Sequence, residues 1–345
     1  MIGRTILARL PRRLGVLAVA GAMSVGIGAA AHAETMIKFA TALSNDSGLM
    51  RIAYAPWLEE LNAKAEGEFK IQAFPPPFAT ATNVWDRVVD GVADMGIIVL
   101  PATGLPFAGS HVSTVPGAGD NVKAGAVALW ELYEKGLLEG EFDDVHLVNL
   151  VTVPANVFIS KEKVDSMDDI AGMKVRANDK NSAAALSNLG ASPIAIPFSE
   201  AYQALSKGVV QGGVANGVTI VGFKFGEVTG WQIDNVFFGM VPAAIVMNKE
   251  FYEGLSPKAK EILASVHGRE GSLDIGRRQH QYDLENRAYL EADENYTFVT
   301  LSDAEKAKWD AELAKVGAVW AADTPNGEEI LRVYTEEYQK AASQY

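Results

Sequence analysis

The chain of 345 residues contains no cysteine. Disulfides, thiolate metal centres and cysteine nucleophiles are therefore excluded. Histidine is nearly as scarce, with five in all. Beyond residue 33 these are His111, His146, His267 and His280, and no two stand at the His-x-x-x-His spacing that grips zinc on a helix face. A Gly-x-Ser-x-Gly nucleophile elbow is missing too. Pro116-Gly117-Ala118-Gly119-Asp120 is glycine-rich but lacks the Lys and Ser/Thr of a phosphate-cradling loop. An enzyme is not expected, and neither is a metal or a cofactor. Basic residues are outnumbered, 30 Lys and Arg against 43 Asp and Glu. That balance argues against nucleic acid, whose phosphates need a basic patch. It argues equally against anionic membrane surfaces. Small anionic ligands stay open, because one buried arginine can dominate its own surroundings whatever the global charge.

Long apolar runs are confined to the N-terminus. Arg4, Arg9, Arg12 and Arg13 precede a run from Leu14 to Ala30, followed by the small-x-small site Ala31-His32-Ala33. This pattern reads as a secretory signal peptide over 1–33, cleaved after Ala33, with Arg12-Arg13 also permitting the twin-arginine route. Four of the 30 basic residues lie in this leader, so cleavage leaves 26 against 43 acids, a net charge near −17. No later stretch approaches 18 uninterrupted apolar residues, and no membrane span is expected there. An exported chain without disulfides suits a bacterial periplasm.

What is present is a repeated alternation of strand and helix. Residues 36–41, 69–74 and 93–99 alternate or run apolar like strands, with helical patterns over 49–66 and 82–91 between them. Short links and this order predict a parallel sheet covered by helices. A helix over 124–134 and a strand over 145–153 follow. The second part opens near Asn156. Ser166-Met167-Asp168-Asp169 reads as a helix cap with an acid three residues on. Then come a strand at 173–176, a helix over 181–189, a strand at 193–196, a helix from Ser199 closed at Gly208, and a strand over 209–214. Residues 245–248 read as a strand returning to the first part. Ser256-Pro257 starts a helix that is expected to run past Gly268 and Gly271 to about 292. Ser302-Asp303-Ala304-Glu305 is a capping box before terminal helices. Chain crossings near 155 and 244 predict two lobes joined by strands: 34–155 with 245–345 as the first, 156–244 as the second. Such an arrangement places a cleft between the lobes, closed by hinge motion on a ligand.

One residue stands out within it. Asp168-Asp169-Ile170-Ala171-Gly172-Met173-Lys174-Val175-Arg176 reads as a polar turn, a glycine and a strand ending on arginine. A side chain at the carboxyl end of a strand in an open α/β domain faces the ligand crevice. The guanidinium is a planar fork that fits a carboxylate with two parallel hydrogen bonds. An ordinary surface ion pair is the plainer alternative.

The order of motifs resembles the extracytoplasmic solute-binding proteins of TRAP transporters, the DctP type. Asp169 to Arg176 carries the resemblance, followed by Leu189-Gly190-Ala191-Ser192-Pro193 and Phe198-Ser199-Glu200-Ala201-Tyr202-Gln203-Ala204-Leu205. Gly208-Val209-Val210-Gln211-Gly212, Phe225-Gly226-Glu227-Val228, Met247-Asn248-Lys249 and, upstream, Asp90-Gly91-Val92-Ala93-Asp94 continue it. The resemblance implies a two-lobe α/β periplasmic binding protein fold with hinge strands and a long helix spanning both lobes. It further implies capture of a small organic acid and delivery to the small and large membrane subunits of a transporter. Arg176 falls on the family's carboxylate-binding arginine. Some members carry a second arginine where this chain has Asn156. Many have Asp-Gly-x-Glu-Asn where this chain reads Gln211-Gly212-Gly213-Val214-Ala215-Asn216. The Glu-Trp pair that accompanies a metal in some members is absent, so no bound metal is expected.

Other candidates keep two readings. The resemblance puts Phe198 beside the ligand, whereas core packing is the alternative for it and for Tyr202. Asn178 could donate to the same anion or cap the helix that follows. Asn216 could face the cleft or serve a turn. Ser44 and Asn45 follow the first strand at its carboxyl end, where first-lobe contacts would arise, and loop solvation is the alternative. Phe223, Phe225, Trp231, Phe237 and Phe238 are expected mostly in the core, with one or two free to stack on an unsaturated or aromatic acid. A monomer is expected. The runner-up function is the ligand-binding component of an ABC importer or a sensory system.

Overall fold

A computed structural model describes residues 34–345. The expected signal peptide and its cleavage after Ala33 lie outside the described residues. Among these the strands, in chain order, are β1 (Thr35–Ala40), β2 (Phe69–Phe74), β3 (Met95–Val99), β4 (Val145–Val153), β5 (Val157–Ser160), β6 (Lys174–Ala177), β7 (Ser192–Ala195), β8 (Gly212–Ala215), β9 (Trp231–Ile233), β10 (Val241–Asn248) and β11 (Thr297–Val299).

Two sheets result, one per lobe. The first has the order β2-β1-β3-β10-β4. Alternation explains its edge: Ile37 and Phe39 of β1 and Phe69 and Ile71 of β2 are buried, while Lys70 and Gln72 face water. β1 pairs in parallel with β2 and β3. The sheet is mixed rather than wholly parallel, because β10 comes back from the second lobe and runs antiparallel to both β3 and β4. Helices cover both faces. Trp57 and Leu61 pack with Phe39 and Met95 on one side. Val88 and Leu129 pack with Ile98 and Leu150 on the other. The second sheet has the order β11-β9-β5-β8-β6-β7. Phe158, Val175 and Val214 face one core with Leu186, and Ile159 and Ala215 face another with Leu205 and Phe225.

The crossings are clipped together. Asn156 N–H donates to the Gly239 carbonyl at 2.9 Å, and Phe238 N–H donates to the Asn156 carbonyl at 2.8 Å. Gly239 has φ +83°, and a Cβ there would lie 2.4 Å from the Thr114 carbonyl oxygen.

The helix Gly268–Glu291 spans both lobes: Ile275 and Tyr282 enter the first-lobe core, Leu290 the second. The expected continuous helix from Ser256 is interrupted. One helix covers Pro257–Ala264, and the long one restarts at Gly268. The break is held by tertiary contacts: Asn149 Nδ2 donates to the carbonyls of Val266 at 3.1 Å and Gly268 at 3.3 Å.

The expected grouping of 245–345 with the first lobe differs from the structure over one segment. β11 pairs with β9 at the edge of the second sheet. The helix Asp303–Asp323 then buries Trp309, Leu313 and Val316 in the second-lobe core and Trp320 and Ala321 in the first. Apolar residues on one helix face complete two cores, so this helix also joins the lobes.

Candidate functional site

Arg176 is the third residue of β6, between β7 and β8. Side chains alternate along a strand, so with Val175 in the core beside Leu186 and Trp309, Arg176 projects to the opposite face. It is 5% exposed and is the one buried Lys or Arg among the described residues. Its Nε donates to the Ile196 carbonyl at 3.1 Å, and Nη1 donates to Asn178 Oδ1. Nη2 has no protein partner among the described residues. Burial lowers the guanidinium pKa from its usual value, and the charge of Asp179 opposes that shift. An arginine remains a cation through such a change. The result is a pre-aimed fork with one edge held by the protein.

An aromatic array lies against it. The Arg176 guanidinium sits 5.6 Å from the centre of the Phe198 ring, within cation–π range. Phe223 meets Phe198 edge-on at 4.5 Å, and Phe225 lies 5.9 Å from it. Phe198 and Phe223 are 42% and 51% exposed, whereas Phe225 is buried. Lys224, between the last two, has φ +61°, a left-handed turn that a non-glycine residue seldom adopts. The turn separates one outward ring from one inward ring.

The structure brings Arg176, Asn178 and Phe198 together. Asn178 does not cap the next helix. That helix is Lys180–Asn188, and its cap is Asp179, whose Oδ1 accepts from Ser182 N–H at 2.8 Å. Asn178 is thus free to hold the arginine. Asn156 and Asn216 form a second, separate pair. Both are buried, with Asn216 Nδ2 donating to Asn156 Oδ1 across 3.4 Å. Asn216 also caps the helix Gly217–Gly222, accepting from the backbone and hydroxyl of Thr219. Tyr202 packs into the second-lobe cluster with Leu205 and Phe225. Ser44 and Asn45 are exposed in the turn after β1, and their side chains make no hydrogen bond among the described residues.

Three site neighbours escaped the sequence reading. Asp179 is half-buried beside Arg176, and desolvation raises its carboxyl pKa against the pull of Ser182 and His111. Asn181 Nδ2 donates to Thr114 Oγ1 at 2.8 Å, tying a second-lobe helix to a first-lobe turn. His111 lies in that turn, Ser110–Thr114. The signal for Asp179 was there: Asp followed three residues later by Ser is a cap pattern. Two cavities, of about 690 and about 410 Å³, lie along the helices joining the lobes and do not include Arg176.

Residues 39–323 match the model of the bacterial extracellular solute-binding protein, family 7. The chain is similar to the outer membrane transporter protein TsaT of Comamonas testosteroni, 23% identical over 308 residues, covering 85% of this chain and 88% of that protein. A marine metagenome TRAP solute-binding protein specific for aromatic acid ligands, solved with 3-hydroxybenzoate, superposes with a TM-score of 0.82 at 24% identity, covering 89% of this chain and 99% of its own. A TRAP solute-binding protein from Rhodoferax ferrireducens T118 with copurified benzoate gives a TM-score of 0.82 at 23% identity, covering 90% and 99%. At these identities the likeness establishes the shared two-lobe fold.

Proposed function

Since the chain belongs to the bacterial extracellular solute-binding protein family 7, we propose that it captures a small aromatic acid bearing one carboxylate, by lobe closure around Arg176. The observation that carries this reading is the single buried cation with exposed aromatic edges against it. One carboxylate pairs with one guanidinium. A second carboxylate would be buried without a partner, which is strongly unfavourable. The amide pair Asn156–Asn216 supplies dipoles but no charge. Phe198 and Phe223 offer ring edges and faces to an aryl body, a contact of roughly 0.5–1.5 kcal/mol beyond burial. The aromatic acids held by two relatives of the same fold support this choice. No chemistry on the ligand is required, and the role is capture without turnover. The loaded form then docks on the small and large membrane subunits of a transporter, which receive the ligand.

A thermal-shift and calorimetric panel tests the reading. Benzoate, 3-hydroxybenzoate and mandelate should raise the melting point, while succinate and galacturonate should not. Arg176→Ala should lose roughly 2–5 kcal/mol of binding while remaining folded. A micromolar site has about 8 kcal/mol in total, so that loss removes most of the affinity. Near-normal affinity in a folded Arg176→Ala variant, or a preference for the dicarboxylate, would sink the proposal. Uptake of the ligand by cells lacking this protein at the normal rate would do the same for the docking step.

A further inference from the structure

One polar side chain of the second lobe reaches across to the first. Asn181, in the opening turn of the helix Lys180–Asn188, donates from Nδ2 to Thr114 Oγ1 at 2.8 Å. Each end of this bond is fixed by its own lobe. Thr114 is buried and ends the first-lobe turn Ser110–Thr114. Its hydroxyl donates to the His111 carbonyl at 2.8 Å, so its one proton is committed and its oxygen is left to accept. Asn181 is the group that uses that acceptor. The turn is stapled to the lobe crossing just before β10. Met240 N–H donates to the Ser113 carbonyl at 2.7 Å, and Ser113 Oγ donates to the Met240 carbonyl at 3.0 Å. At the other end the amide shares its support with the arginine. Asn178 accepts from Arg176 Nη1, and the N–H groups of Asn178 and Asp179 both donate to Ser182 Oγ at 2.9 Å. Asp179 Oδ1 accepts from Ser182 N–H at 2.8 Å. Residues 176–182 thus form one hydrogen-bonded unit, and a movement of Arg176 relative to the first lobe carries Asn181 with it. The lobes meet at a second place, where Val218 of the helix Gly217–Gly222 packs on the first-lobe core.

A side-chain hydrogen bond is lost beyond about 3.5 Å, so a lengthening of about 0.7 Å from 2.8 Å breaks this one. Hinge opening between the lobes exceeds that readily. Resting on the functional reading above, we propose that the Asn181–Thr114 hydrogen bond is a closure latch, made when the lobes shut over a carboxylate on Arg176 and broken when they part. Asn181 and Thr114 are then positioning residues, acting on the ligand through the lobe equilibrium without touching it. In the open form water satisfies both groups, so the latch adds only the net worth of one neutral hydrogen bond to the closed form. That increment favours the closed state for any acid that lets the lobes shut. It acts after capture, so it slows release and leaves association nearly unchanged.

A double-mutant cycle, read once on ligand release and once on the ligand-free fold, tests the latch. Stopped-flow mixing with benzoate gives the two rates. Asn181→Ala and Thr114→Val should each speed dissociation roughly two- to tenfold, with association little changed. The double variant should release no faster than the faster single variant. Thr114→Ser keeps the hydroxyl and should match the unmutated chain. Unchanged release in both single variants, or effects that simply multiply in the double variant, overturn the proposal. Urea denaturation without ligand is the second arm. Asn181→Ala should fold as well as the unmutated chain, because alanine is the better helix former. Thr114→Val should be less stable, because the bond to the His111 carbonyl goes with the hydroxyl. These two effects should add in the double variant, since the open form lacks the latch. A coupling there as large as that in release means the bond persists in the open form, and overturns the proposal. Failure of every acid in the panel to bind overturns the functional reading, whereas binding with independent effects on release overturns this inference alone.

Discussion

Asp283 faces Gly217 where the long helix meets the second lobe, and a methyl on Gly217 would lie 2.8 Å from its Oδ1. Burial raises the Asp283 carboxyl pKa to about 6, with Arg287 offsetting part of the effect. The unfolded chain ionises this group near 3.8. A raised folded pKa means that the folded state resists ionisation, so the contribution of this group to stability is fully present below pH 4 and is lost as pH rises through 6. Asp283→Asn should therefore stabilise the protein at neutral pH by on the order of 2 kcal/mol. The gain should vanish below pH 4, which thermal melts across that range will read. A variant equally stabilised at both pH values would refute the burial argument. At this scale the sequence was informative where one residue and its strand carry the meaning. Arg176 could be read from a polar turn, a glycine and a strand. The tie between Asn181 and Thr114 across the lobes could not, because 67 residues separate them and no local pattern links them.

The hinge depends on backbone that a side chain would obstruct. At Gly239 the positive φ and the approach to Thr114 act together. Gly239→Ala should cost about 2 kcal/mol or more, since neither the left-handed conformation nor the contact tolerates a Cβ. Chemical denaturation measures it, and a loss under 0.5 kcal/mol would contradict the close approach. Elements with strong periodicity were legible: β1 and β2 from alternation, and the helices after Ser166, Ser256 and Ser302 from their caps. The interruption before Gly268 was not, because the apolar and polar pattern continues through it and the break is held by Asn149, over a hundred residues away. Asp179 rather than Asn178 capping its helix reflects the same limit, since neighbouring cap residues are equivalent until one is claimed by a partner.

At the scale of the molecule, the two lobes are not two contiguous halves. The second lobe takes β5 to β9 from one stretch, β11 from another, and its Trp309 face from a helix that ends in the first lobe. Alternating strands and helices revealed both sheets, but a three-residue edge strand such as β11 leaves too faint a period to be assigned to either. An excised fragment 156–244 should accordingly fail to fold, lacking one edge strand and the side chains of Trp309, Leu313 and Val316. Circular dichroism and hydrogen exchange on that fragment provide the check, and cooperative unfolding would contradict the description. The same composition governs the order in which a growing chain can reach its final state. Phe158, Val175 and Leu186 emerge well before the Trp309 helix that covers them. At typical synthesis rates the delay between residues 238 and 316 is on the order of ten seconds. For that interval a half-built core stands uncovered, and the span is long enough for a chaperone to hold it or for a neighbouring chain to find it.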